Sequence, residues 1–151
     1  RGEIIVDSLE NCYIASNSGS SNFPMVNAVQ STFGGGTTDG VAVKFNANLS
    51  SLIWSTYLGG SGDDAAYSVQ FELPSNDVYI TGGTTSSNFT TTTGVINPTY
   101  GGNTDGFLCK ISSAGTTLLA STYIGTSQYD QSYFVQLDLA NDVYVVAMSV
   151  R

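Results

Sequence analysis

The sequence predicts an all-β protein, built as an arc of a β-propeller with four-stranded antiparallel blades. Three observations lead to this prediction: a phrase that repeats at a fixed offset, short β-rich segments separated by turn residues, and the lack of helical apolar spacing. The phrase DGVAVKFNANLSSLIWSTYLGG, which starts at Asp39, recurs as DGFLCKISSAGTTLLASTYIGT at Asp105, 66 residues later. Strand-rich units at a fixed period are typical of propellers and other repeat architectures.

The repeat extends beyond this phrase and divides the chain. YSVQF matches YFVQL, NDVYIT matches NDVYVV, and SSNF occurs at both Ser20 and Ser86. We therefore predict that residues 1–38 form the back half of one blade with a long connection. Residues 39–104 are predicted to form one complete blade with its connection, and residues 105–151 most of a third blade, all within one domain.

Four segments of the complete unit have the composition of strands. GVAVKFN, SLIWSTYL, AAYSVQFEL and DVYITGG are rich in β-branched and aromatic residues. FNANLSS and LPSND resemble hairpin loops, and GGSGDD a wider turn. TTSSNFTTTTGVINPTYGG, from Thr84, is the long connection expected between blades, and it accounts for a period longer than the roughly 40–50 residues of common propeller repeats. A β-sandwich is the alternative fold, although sandwiches rarely repeat their sequence this closely.

The segment STYLGGSGDDAAYSVQFELPSNDVYITGGTTSSNF resembles the bacterial β-propeller repeat called SBBP. The third unit departs from that pattern at GTSQYDQS and at VVAMS, which lacks the glycine pair. The resemblance implies a large secreted or surface-attached bacterial polypeptide, often linked to type IX export, adhesion or gliding. The 151 residues hold about 2.3 units, too few for a ring of four to eight blades. We therefore expect the remaining blades to lie elsewhere in a longer parent polypeptide.

Composition limits the classes of partner. The net charge is −8, and no basic cluster occurs, so the sequence disfavours nucleic acid and anionic membrane surfaces as partners. No apolar run reaches the roughly 20 residues of a membrane-spanning helix. The chain does not start with Met or a signal peptide, so we expect an internal piece of a longer protein. Scarce lysine and abundant hydroxyl residues, together with the resemblance, favour a protein that is secreted or on the outer cell surface. No cofactor is predicted.

Charged residues recur at equivalent positions of successive units, which indicates a structural role. These positions are Asp39, Lys44, Asp64, Asp105, Lys110 and Asp130. A lysine inside a strand needs a carboxylate partner when it is buried. We expect Lys44 to pair with Asp39 or Asp64, and Lys110 with Asp105 or Asp130, with similar geometry in both blades.

Positions at which the units differ are the candidates for contact with a partner, because residues shared by the units are expected to maintain the fold. These candidates are Trp54, Asp63, Tyr129 and Gln131. The sequence contains no His, so a Ser-His-Asp triad cannot form within this chain. GNTDG lacks the ligand pattern of a calcium loop, and no metal site is predicted.

These observations favour a non-catalytic scaffold or binding propeller whose partner is another surface or export protein, or a glycan. The alternative function is a carbohydrate-active enzyme, a lyase or glycosidase, with its site at the centre of the propeller.

Three further residues carry predictions of their own. Cys12 and Cys109 are expected on the outermost and innermost strands of different blades, too far apart for a disulfide, and therefore as free buried thiols. Ser8, in Asp-Ser-Leu, fits the O-glycosylation pattern of bacteria rich in SBBP-like proteins.

Overall fold

The structure, a computed structural model, describes residues 2–150, and this part of the chain contains strands and no helix. Ten strands are present: β1 (Glu3–Val6), β2 (Cys12–Ser18), β3 (Asp39–Phe45), β4 (Leu52–Leu58), β5 (Asp64–Phe71), β6 (Val78–Thr84), β7 (Asp105–Ile111), β8 (Leu118–Ile124), β9 (Tyr129–Leu137) and β10 (Val143–Val150). They form antiparallel sheets of four, four and two strands, in agreement with the predicted all-β class.

The sheets are divided differently from the predicted blades. The first sheet has the order β1-β2-β3-β4, the second β5-β6-β7-β8, and the third contains β9 and β10. Residues 39–104, expected to form one blade, are therefore shared between the first two sheets. The short segment 59–63 separates sheets, whereas the long segments 19–38 and 85–104 join paired strands within a sheet.

Each long connection runs along the outer edge of the last strand in its sheet. In the first sheet, the Ser55 amide donates to the Val26 carbonyl at 2.8 Å, and the Tyr57 amide to the Gln30 carbonyl at 3.1 Å. In the second, the Tyr123 amide donates in the same way to the Asn97 carbonyl at 3.0 Å. The connections thus satisfy edge groups of β4 and β8 that would otherwise be open to another strand.

Each following sheet packs through its first strand onto the face of the sheet before it. β5 packs against β1, β2 and β3 of the first sheet, and β9 packs against β5, β6 and β7 of the second. β4 and β8 make much smaller contacts with the sheet that follows. Contact between the sheets is densest where β5 meets β2 and where β9 meets β6, and a shared core of aromatic and aliphatic side chains lies between the sheets.

The two lysines lie in matching positions of the first two sheets. Lys44 stands opposite Tyr13, with its Nζ 4.7 Å from the ring centroid. Lys110 stands opposite Tyr79 in the same register, with its Nζ 5.2 Å from that ring. A cation over an aromatic face is a favourable contact.

The carboxylates that pair with these lysines are not the expected ones. Lys44 Nζ lies 3.7 Å from Asp7, and Lys110 Nζ lies 2.6 Å from Glu72 and 3.7 Å from Asp77. These acids belong to the hairpins β1–β2 and β5–β6. Asp39, Asp64, Asp105 and Asp130 are absent from the ion pairs of residues 2–150, because they lie at the other end of the strands.

Cys12 and Cys109 are both free and buried. They lie on β2 and β7, which are interior strands of adjacent four-stranded sheets, so the predicted positions on an outermost strand for Cys12 and on an innermost strand for Cys109 are both wrong. Complete burial raises the pKa of the Cys109 thiol to about 12.

Candidate functional site: a polar groove between the sheets

A polar groove of about 360 Å³ opens where the three sheets meet. Its lining comes from each sheet and from both long connections: Asn17, Thr38, Asp63, Asp64, Ala65, Tyr67, Gly83, Thr85, Thr104 and Gln131. Two of the predicted contact residues, Asp63 and Gln131, belong to this lining. Both occupy positions at which the repeated units differ, since Asp63 corresponds to Tyr129 and Gln131 to Ala65.

Asp63 joins the two long connections at the rim of the groove. Its Oδ1 accepts hydrogen bonds from the Thr37 amide at 2.6 Å and from the Thr37 hydroxyl at 2.5 Å. Its own amide donates to the Thr85 hydroxyl at 2.7 Å. The bonds from Thr37 hold the pKa of this carboxyl below its usual value. Asp63 therefore presents a fixed negative charge on an exposed turn.

Gln131 is held in place by two tyrosines. The Tyr133 hydroxyl donates to Gln131 Oε1 at 2.8 Å, and Gln131 Nε2 donates to the Tyr67 hydroxyl at 3.3 Å. The two rings are stacked, with centroids 5.6 Å apart and planes 16° apart. The Gln131 amide lies over Gly83, where a Cβ atom would be only 2.7 Å from Nε2. The glycine thus makes the space that the glutamine occupies.

Equivalent bulges place the two tyrosines. The register of β5 with β6 shifts between Ala66 and Ser68, and that of β9 with β10 shifts between Ser132 and Phe134. Tyr67 and Tyr133 are the extra residues, and such bulges commonly redirect a side chain. The sequence does not single out Tyr67, because this residue recurs as Tyr133 and a recurring residue is expected to maintain the fold.

The repeated aspartates anchor the backbone at this end of the sheets. Asp39 accepts from the Gly34 amide at 2.7 Å, and Asp105 accepts from the Gly101 amide at 2.6 Å. Asp64 accepts from the Gly60 amide at 2.7 Å, and Asp130 accepts from Thr126 at 2.6 Å. Carboxylates that bind nearby amides in this way order turns.

The other candidates lie in different environments. Trp54 has no exposed surface, so its interpretation as a contact residue is wrong. It packs edge-on against Tyr13, and Gly115 in the β7–β8 loop lies so close to its Cγ that a Cβ at that position would clash. Tyr129 begins β9 and bridges Thr104, a lining residue of the groove. Ser8 is exposed in the β1–β2 hairpin.

No group of three or more Cys, Asp or Glu side chains in residues 2–150 is arranged to hold a metal ion. The same range contains no helix that is long and apolar enough to cross a membrane. The chain matches no protein-family model, and a search of curated proteins finds no sequence match.

The acids near the groove predict an unusual dependence of stability on pH. Burial raises the pKa of Asp39, Asp64 and Asp105 above the usual 3.8. These groups stabilise the fold fully below their unfolded pKa and lose that contribution as the pH rises through the raised value. Asp63 has a lowered pKa and acts in the opposite sense, so its contribution is lost at still lower pH.

We therefore expect the free energy of unfolding to increase as the pH falls through the raised pKa values of Asp39, Asp64 and Asp105 toward about 4. On further acidification it should decrease, because the pKa values of Asp7, Asp63, Glu72 and Asp130 are lowered. Urea denaturation at a series of pH values measures this. The substitution Asp64→Asn should make the increase in the free energy of unfolding smaller. Asp63→Asn should change only the decrease that follows below about pH 4. A free energy of unfolding that stays level or decreases between pH 7 and 4 would contradict the assignment.

Proposed function

We propose that this chain is an arc of a β-propeller that acts as a non-catalytic binding scaffold in an exported bacterial surface protein. The arrangement of the sheets supports the proposal that the chain is an arc of a β-propeller. The first two sheets have the same strand order, and each following sheet packs through its first strand onto the sheet before it, while the third sheet contains only β9 and β10. The resemblance to SBBP repeats supports the bacterial and exported setting.

Exposed apolar residues at both ends of the stack also support an arc. Tyr144, Val146 and Met148 on β10 are 57%, 60% and 45% exposed, and Ile4 and Val6 on β1 are 63% and 56% exposed. Exposed apolar side chains that lie together on a strand are typical of surfaces on which further protein packs. In a ring, the following and preceding blades would cover them.

The observation that carries the binding role is the position of Asp63 and Gln131. These residues differ between units, yet they line one groove that all three sheets help to form. The groove offers a fixed carboxylate, an amide and several hydroxyl groups, which suit hydrogen-bond donors on a protein loop or a glycan. Each is held by partners within the fold, so little order has to be gained on binding.

The geometry favours contact over acid–base catalysis. A glycosidase needs a proton-donating acid with a raised pKa beside an ionised carboxylate, both open to the sugar. Asp64 has a raised pKa but is only 1% exposed, and its Oδ2 already accepts from Gly60 and Ser86. Asp63 is exposed but has a lowered pKa. A carbohydrate-active enzyme remains the alternative outcome of the test below.

Native mass spectrometry of the protein isolated from its own cells, with peptide identification of every component, tests this proposal. We expect a complex with a second surface protein that is lost with Asp63→Ala and Gln131→Ala. Asn48→Ala is the matched control, because Asn48 lies in the β3–β4 loop at the far end of β3. A complex that survives the groove variants would contradict the site, and cleavage of glycans that depends on Asp63 would favour the enzyme.

A further inference from the structure

The hairpin of β9 and β10 is a third copy of a lysine-binding arrangement that is occupied in the first two sheets. In the first sheet, Asp7 Oδ1 accepts from the amides of Leu9 and Asn11, both at 2.9 Å, and Oδ2 accepts from the Tyr13 hydroxyl at 3.0 Å. Lys44, from β3, lies over that Tyr13 ring and 3.7 Å from Asp7. The hairpin thus supplies a ring and a carboxylate to a lysine on the neighbouring strand.

The third hairpin reproduces these contacts position by position. Asp138 Oδ1 accepts from the amides of Ala140 and Asp142 at 2.8 and 2.9 Å, and Oδ2 accepts from the Tyr144 hydroxyl at 3.3 Å. The turn residue Asn141 has φ 65°, as Glu10 has φ 62° in the first hairpin. The ring, the carboxylate and the turn are therefore in place.

The third hairpin differs from the first two in that no lysine of the described residues lies over its tyrosine ring. Tyr13 has no exposed surface, whereas Tyr144 is 57% exposed, and Asp138 and Asp142 are exposed. Within residues 2–150, no Lys or Arg forms an ion pair with either aspartate. Asp142 corresponds to Asp77, which contacts Lys110 in the second sheet. The third hairpin thus holds two carboxylates beside an uncovered ring.

The edge of β10 that faces away from β9 has no partner strand among the described residues. β2 and β6 each pair on both sides, whereas β10 pairs only with β9 among the described strands. In β2–β3, Tyr13 is opposite Lys44 and Ser18 is opposite Asp39. In β6–β7, Tyr79 and Thr84 are opposite Lys110 and Asp105. The same register on β10 places a lysine opposite Tyr144 and an aspartate opposite Ser149.

We propose that the open edge of β10 binds a partner strand with the pattern Asp-Gly-X-X-X-Lys, added antiparallel to β10 in this register. The partner lysine then lies on the Tyr144 ring and against Asp138 and Asp142, and the backbone groups of β10 pair with the new strand. The negative hairpin and the positive lysine are complementary in charge. The inference does not depend on the binding role of the groove.

A synthetic peptide with the sequence of residues 37–47, TTDGVAVKFNA, is the probe. Added to the intact chain, it should slow amide hydrogen exchange of β10 about tenfold or more, as measured by NMR. The peptide with Lys44→Met should bind about tenfold more weakly, because it lacks the cation. Asp138→Asn in the protein, which retains the turn acceptor Oδ1, should weaken the unmodified peptide similarly.

The two changes should not add when combined, because both remove the same contact. Ile96→Ala, in the exposed connection of the second sheet, is the matched protein control and should bind the peptide normally. Three results would overturn the proposal: no protection of β10 amides, binding that is indifferent to Lys44→Met and Asp138→Asn, or a dimer in which β10 pairs with a second copy of itself. The peptide substitution leaves the protein unchanged, so a folding defect cannot imitate its effect.

Discussion

Trp54→Ala is expected to lower the free energy of unfolding by about 3–5 kcal/mol, as truncation of large buried aromatic side chains does. Trp54 has no exposed surface, and its ring lies between Tyr13 of its own sheet and Gly115 of the β7–β8 loop. Its removal leaves a cavity at the point where the first two sheets meet. Urea denaturation followed by circular dichroism measures the effect.

Two matched variants make this test specific. Leu119→Ala removes an apolar side chain that is 45% exposed, and it should cost less than about 1 kcal/mol. Trp54→Phe keeps an aromatic ring and removes an indole N–H that is buried without a hydrogen-bond partner, so its cost should be well below that of alanine. A Trp54→Ala protein as stable as the Leu119→Ala protein would show that Trp54 does not join the sheets.

Asp7→Asn is expected to cost about 3 kcal/mol, because it leaves the ammonium group of Lys44 without its carboxylate at a site that is 9% exposed. Asn at this position can still accept from the amides of Leu9 and Asn11 through Oδ1, so the turn itself is preserved. The amide group that replaces Oδ2 cannot accept from the Tyr13 hydroxyl or from Asn11 Nδ2, so the loss reports the ion pair together with these two hydrogen bonds. Chemical denaturation at pH 7 measures it, since burial is outweighed by hydrogen bonds from Asn11 and Leu9 that lower the pKa of Asp7 and keep it charged.

Asp138→Asn is the control for this prediction. Asp138 makes the same turn bonds in the third hairpin but lies exposed and without a lysine in residues 2–150. Its substitution should change the free energy of unfolding by less than about 0.5 kcal/mol. Equal losses for the two variants would mean that the turn, and not the lysine, accounts for the effect at Asp7.

The positions of the strands followed from sequence, but their grouping into sheets did not. GVAVKFN and SLIWSTYL correspond to β3 and β4, because strand composition is a local property. Pairing is decided between distant segments, and here β2 pairs with β3 across the long connection 19–38. A short turn such as GGSGDD gives no sign that it separates two sheets. The repeat gives the length of the unit, but it does not show at which strand of the unit a sheet begins.

Side-chain partners were harder to predict than side-chain positions. The recurrence of Lys44 and Lys110 indicated a repeated environment, and both lie over tyrosine rings in the same register. Their carboxylate partners come from hairpins that are near them only after the strands pair. A residue that differs between units can have either of two roles. Asp63 and Gln131 differ between units and line one groove, whereas Trp54 differs because it packs against Gly115 of the β7–β8 loop.

Electron cryo-microscopy of the protein isolated from its own cells tests whether this chain is an arc of a propeller. We expect a closed ring of four-stranded sheets with the strand order seen in residues 64–124, and with the equivalents of β1, β5 and β9 nearest the axis. We also expect β10 to be an interior strand of a complete sheet. Sheets that close face to face as a sandwich, or a β10 edge that stays open in the assembled protein, would contradict it.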